Sequence, residues 1–216
     1  MKITCITDLH GNADLLTRIL RQAGKTDLVL LGGDITNFGT PNEAEALIEI
    51  ARQLGVPVYA IAGNCDSREI ESRLERLDVS LMRRGVVVDD LGLVGLAAMP
   101  PWMGTMYELP EEELAAALQT GHEMLEDTAQ HLLLSHTPPR DTKLDKTRRG
   151  AHVGSVAVRT YINEHQPAVV VCGHIHEGRG VQTVGQSQVV NCGPGFDGNY
   201  ALVEVDGDIT IELNRA

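Results

Sequence analysis

"MKITCITDLHGNADLLTRILRQAG", residues 1–24, sets the architecture. "KITCIT" reads as a buried strand. "NADLLTRILRQAG" follows as an amphipathic helix, with Asn12 placed to cap its N-terminus and Gly24 to stop it. The unit recurs: "DLVLLGGD" is strand then glycine, "PNEAEALIEIARQLG" is a helix opened by Pro41, and "VPVYAIAGNCD" is the next strand. Three βα units in about seventy residues predict a mainly parallel sheet covered by helices.

From Val86 the pattern changes, because "VVVDDLGLVGLAA" carries a hairpin signal at Asp89 to Gly92. "PEEELAAALQTGHEMLED" is predicted as a helix with acidic residues in its first turn, "HLLLSH" as a strand, "SVAVRTYINEH" as a helix and "AVVVCGHIHEG" as a strand. The tail is read as strands turning at Gly185, near Gly195 and at "DGD". Helical units first and a strand-rich end suggest two packed mixed sheets with helices outside. At 216 residues, with no linker and no repeat, the chain is expected to be a single domain over 1–216.

The net charge of -12 argues against salt-dependent adhesion to nucleic acid or anionic lipid, and a nuclease reading lacks its basic track. No apolar stretch reaches the roughly 20 residues that span a bilayer. No leader pattern opens the chain, and four cysteines without a CxxC pair suit reduced thiols, so a cytoplasmic protein is expected. A homo-oligomer is compatible with the sequence.

Polar groups stand just after each apolar run: Asp8 and His10, then Asp34, then Asn64, then His136, then His174 and His176. The carboxyl edge of a parallel sheet is where ligands bind. Any one of these residues alone reads as a cap or a satisfied structural group; seven together read as ligands. If the segments stay extended, the i, i+2 spacing puts His174 and His176 on one side, and likewise Asp8 and His10. Nitrogen and oxygen donors without thiolate suit Mn, Fe, Zn, Ni or Mg, and seven exceed the needs of one tetrahedral ion, so two divalent ions are expected, Mn foremost. A pair of ions can hold a hydroxide and polarise phosphoryl oxygens.

The blocks "DLH", "GGD", "GNCD", "SH" and "GHIH", in that order, resemble the calcineurin-like metallophosphoesterases, and the flanking segments are similar to the Icc-related phosphoesterases within them. The resemblance covers Ile3 to about Gly195. It implies a four-layer α/β/β/α sandwich. It also implies one ion on Asp8, His10 and His176, a second on Asn64, His136 and His174, and Asp34 as the bridge. The activity implied is hydrolysis of a small-molecule phosphoester, a phosphodiester ahead of a phosphomonoester. An inactive binding scaffold of the same fold is the alternative from another class.

Cys65 stands where the family pattern has a histidine that steadies or protonates the reacting group. It reads as a space-filling residue of the cleft first, and as a weak proton donor or a sensitive thiol after that. Its presence penalises leaving groups of high pKa, which need a proton as the bond breaks. The irregular stretch "PPRDTKLDKTRRGAHVG" offers His152 as a substitute acid, and Arg148 with Arg149 as phosphate contacts. Asp66 is expected to orient a ligand or cap the next helix, Trp102 to shape a cleft wall, and His122, His131 and His165 to be structural.

Overall fold

The computed structural model describes residues 1–125 and 130–216. β1 (Lys2–Ile6) leads into α1 (Ala13–Ala23), where Asn12 Oδ1 accepts the Leu15 amide and Gly24, at φ 69°, turns the chain away. β2 (Leu28–Gly32) leads into α2 (Pro41–Arg52), opened by a capping box in which Thr40 and Glu43 satisfy each other's amides. β3 (Val58–Ile61) leads into α3 (Arg68–Arg76), capped by Ser67. The three strands pair in parallel, and the tail returns as β10 (Asn199–Asp206) and β11 (Asp208–Arg215), giving the order β11-β10-β1-β2-β3.

The second sheet begins with the expected hairpin, β4 (Gly85–Val88) and β5 (Leu91–Leu96). It continues through β6 (Gln130–Ser135), β7 (Val169–Cys172), β8 (Gly180–Val184) and β9 (Ser187–Asn191) in the order β4-β5-β6-β7-β9-β8. Its outer face carries α4 (Glu111–Glu123) and α5 (Val156–His165); residues 126 and 127 of the predicted helix fall outside the described residues. β2 lies over β6 and β3 over β5, while α1, α2 and α3 cover the other side of the first sheet. The four-layer sandwich expected from sequence is the fold.

The central strands are apolar on both faces because both are covered, one by helices and one by the facing sheet. Leu30, Leu133, Val170 and Val171 are fully buried in a core that runs continuously through both sheets. Each such side chain contributes about 1.5–3 kcal/mol. Gly95 sets the spacing between sheets: a Cβ there would stand 2.3 Å from Leu81 Cβ and 2.9 Å from Ile61 Cγ2. His122, His131 and His165 gather around Tyr161 between α4, β6 and α5, with His122 Nδ1 3.0 Å from Tyr161 Oη.

Candidate metal centre

Both sheets end at one place. The loops after β1 and β2 are zipped by amide-to-carbonyl bonds from Asp8 to Gly33, His10 to Asp34 and Gly11 to Ile35. The loop after β7 joins them through the His174 amide, which donates to Asp8 at 3.1 Å, and the Gly173 amide donates to His136 O. The extended geometry expected for the two paired motifs is not what brings them together. Asp8, His10 and His174 have φ of 55°, 46° and 62°, and His176 opens a single 3-10 turn. The chain has to leave its strand to let neighbouring loops bond to one another. Asn191 holds the turn by donating to Gly173 O and Ile175 O.

The side chains of the seven residues nevertheless converge. Ligand atoms of Asp8, His10 and His176 lie within 4.8 Å of one another, as do those of Asp8, Asp34 and His136. His136 and His174 rings are 5.1 Å apart. Asp34 faces both groups, with Oδ2 3.6 Å from His10 Nε2 and Oδ1 3.4 Å from His136 Nε2.

The donor chemistry fits divalent cations. His136 Nδ1 lies 3.0 Å from Gly32 O and donates to it, which aims Nε2 into the centre. Nε2 stands 2.8 Å from Asn64 Oδ1 and 3.4 Å from Asp34 Oδ1, while Asn64 Nδ2 is turned to the sulfurs of Cys65 and Met106. One imidazole nitrogen and two oxygens are thereby brought together, a donor set that suits a divalent cation. His10 Nε2 is buried without a hydrogen-bond partner among the described residues. Burial and the neighbouring His136 push His174 down to about 3, leaving it neutral with a free lone pair. Burial opposes ionisation of Asp8, but His176 and His136 overcome it and hold its carboxyl below the usual range. The hydrogen bond to Asp8 raises His176.

Gly63 makes the close approach possible, because a Cβ there would stand 2.2 Å from Asp34 N and 2.7 Å from His136 Cε1. Asp66 does not cap α3; Ser67 does. The buried Asp66 carboxylate instead accepts the amides of Ile35, Thr36 and Gly63, bracing the loops that carry Asp34 and Asn64. Cys65 donates its amide to Asp34 Oδ1 at 2.7 Å, and its thiol is within 4.8 Å of ligand atoms of His10 and Asp34. Burial, then the charge of Asp34, raises its pKa, so it stays a neutral thiol.

A cleft of about 370 Å³ opens beside the centre, with Asn64 and His174 at one end and His152 and Trp102 further out. His152 Nδ1 lies 2.7 Å from Oδ1 of Asp145, a fully buried carboxylate absent from the sequence reading. Only the antiparallel bridge between Lys146 and His152, which folds the loop back on itself, brings the two together, and no sequence period announces it. Burial works against ionised Asp145, but His152 and the amides of Thr142 and Gly154 hold it below the usual range. Arg140 is the arginine that lines the cleft; Arg148 and Arg149 are exposed on the loop.

Carboxylates and imidazoles drawn from two facing mixed sheets to a common edge define the class of metallophosphoesterases. The chain belongs to the calcineurin-like phosphoesterase family, whose sequence profile matches residues 1–178, and it is accordingly a hydrolase acting on phosphoester bonds. It is 31% identical over 200 residues to the protein MJ1162 of Methanocaldococcus jannaschii, covering 90% of this chain and 88% of that one. It is 25% identical over 156 residues to a relative in Arcobacter nitrofigilis named "Probable glycerophosphodiester phosphodiesterase GpdQ". That match covers 70% of this chain and 57% of the relative's length. The crystal structure of TT1561 of Thermus thermophilus shares the fold, with a TM-score of 0.78 at 18% identity over 99% of this chain and 98% of that one. No described helix is long and apolar enough to cross a membrane.

Proposed function

We propose that this chain is a two-metal phosphodiesterase acting as one domain over 1–216 on a small-molecule substrate in the cytoplasm. Asp8, His10 and His176 would hold one divalent ion, Asn64, His136 and His174 the other, and Asp34 would bridge them, with Mn favoured over Fe, Zn, Ni or Mg. The observation that carries this reading is the convergence of seven N and O donor side chains, with Asn64 Oδ1 at 2.8 Å and Asp34 Oδ1 at 3.4 Å from His136 Nε2 beside the cluster of Asp8, His10 and His176. Divalent ions bound there acidify water and neutralise charge on phosphoryl oxygens.

The chain's own residues supply the rest. Asp66 and Gly63 keep the Asp34 and Asn64 loops in contact, so the ligands are ordered before substrate arrives. Asp145 fixes His152 through Nδ1 and leaves Nε2 as the nitrogen available to the cleft, where it passes a proton to the departing oxygen. The neutral Cys65 thiol does not replace the histidine of the family pattern as a strong acid. Diesters with good leaving groups are therefore favoured. A name such as glycerophosphodiester phosphodiesterase on a relative that is 25% identical supports the diester preference.

Hydrolysis of bis(p-nitrophenyl) phosphate by metal-stripped protein reloaded with Mn tests the proposal, with metal content read alongside. Asp34→Asn is expected to lower bound metal from two ions toward one and kcat at least a hundredfold. Absence of metal-dependent turnover on any ester would instead leave the chain as a binding scaffold.

A further inference from the structure

The stretch of cleft lining from Met99 to Trp102 contains none of the candidate metal ligands and no proton carrier. Trp102 is the chain's only tryptophan, and it is 66% exposed, as is Met103. Trp102 borders the cleft together with Met99, Pro100, Pro101 and Met106, so its exposed indole is open to what the cleft holds. The segment that displays it is fixed: the Glu108 carboxylate accepts the amides of Trp102 at 2.9 Å, Met103 at 3.1 Å and Gly104 at 3.0 Å. The same segment reaches the metal centre, since Met106 Sδ accepts from Asn64 Nδ2 at 3.4 Å and the Tyr107 amide donates to Asn64 O. Trp102, Met99, Pro100, Pro101 and Met106 thus form an apolar wall of the cleft that Asn64, His174, Arg140 and His152 also line, with Met106 in contact with Asn64.

We infer that this wall is a subsite for a flat aromatic group, such as a heterocyclic base, carried by the retained half of the phosphodiester and stacked on Trp102. The inference rests on the phosphodiesterase reading and adds to it the class of substrate. A phosphate at the Asn64 and His174 end places its ester substituent along the wall. The indole face and two thioethers favour a polarisable ring over a saturated polar group such as glycerol. A cleft of about 370 Å³ is large enough for a base and sugar but not for an oligonucleotide.

The test compares two diesters with one leaving group, the p-nitrophenyl ester of thymidine 5′-phosphate and methyl p-nitrophenyl phosphate, on the Mn-loaded protein. Since the chemistry at phosphorus is shared, their kcat/KM ratio reads the subsite alone. Stacking on an aromatic side chain predicts a preference of roughly tenfold or more for the thymidine ester, carried mainly by KM. In Trp102→Ala the ratio should fall toward one, and in Trp102→Phe most of it should remain. A wild-type ratio near one, or a ratio unchanged in Trp102→Ala, overturns the subsite. Failure of both esters to react would count against the phosphodiesterase reading instead. The subsite would then be decided by emission of the single tryptophan, which thymidine 5′-phosphate should quench and methyl phosphate should not. No quenching overturns it.

Discussion

Glu71→Gln should make the protein more stable at pH 8 and leave it nearly unchanged at pH 4.5. Glu71 lies on the buried face of α3, where its carboxyl accepts the Ala62 amide at 2.8 Å and the Ser80 hydroxyl. Burial pushes it up to about 7 from the usual 4.5, against the pull of those two hydrogen bonds. Between those values the folded state binds a proton that the unfolded chain has released, so stability falls as pH rises through the window and levels off above it. At about 1.4 kcal/mol per tenfold change in proton activity, ionised Glu71 costs the folded state about 3 kcal/mol at pH 8. Glutamine avoids that cost while its oxygen accepts from Ala62 and its amide donates to Ser80 Oγ, much as the protonated acid does. At roughly 2–4 °C per kcal/mol for a chain of this size, Tm should rise by roughly 6–12 °C at pH 8. Thermal unfolding of metal-free wild type and variant across pH 4.5 to 8 supplies the difference curve, in which other titrating groups cancel. A difference that stays flat with pH would refute the assignment of a buried, late-ionising carboxyl.

Asp145→Asn should lower kcat on a diester with a poor leaving group about tenfold more than on the p-nitrophenyl ester, while bound metal stays unchanged by elemental analysis. Gly63→Ala should destabilise the protein by about 3 kcal/mol or more and cut metal content, measured by chemical denaturation and metal analysis, because its Cβ has no room beside Asp34 and His136. Cys65→His should raise activity on poor leaving groups relative to activated ones; an unchanged ratio would mean that position 65 handles no proton.

The fold and the clustering of the seven polar side chains were legible for one reason: each candidate residue follows an apolar run, so the strand pattern and the chemistry are read in the same pass. Asp8, Asp34, Asn64, His136 and His174 all stand within three residues of the end of a strand. The geometry that joins them was not legible, because Asp8 and His174 take up left-handed conformations in answer to bonds from loops more than a hundred residues away. Asp145 escaped for a related reason. Its bond to His152 depends on how an irregular loop closes, which no periodicity encodes. The choice of Arg140 over Arg148 and Arg149 depends on the same closure. Glu71 was hidden within "REIESRLER", a segment so rich in charge that it reads as a solvated face.

Asp8, His10, Asp34 and His174 all hold positive φ, between 46° and 62°, in which any residue with a Cβ is disfavoured by roughly 1–2 kcal/mol. At Asp8 and Asp34 that strain is offset by the amides of His174 and Cys65 that their carboxylates accept, whereas the buried His10 Nε2 has no such partner among the described residues, so a laboratory selection for heat resistance alone, run without an activity screen, should reach glycine first at His10. The winners would outlast the natural protein and turn over nothing.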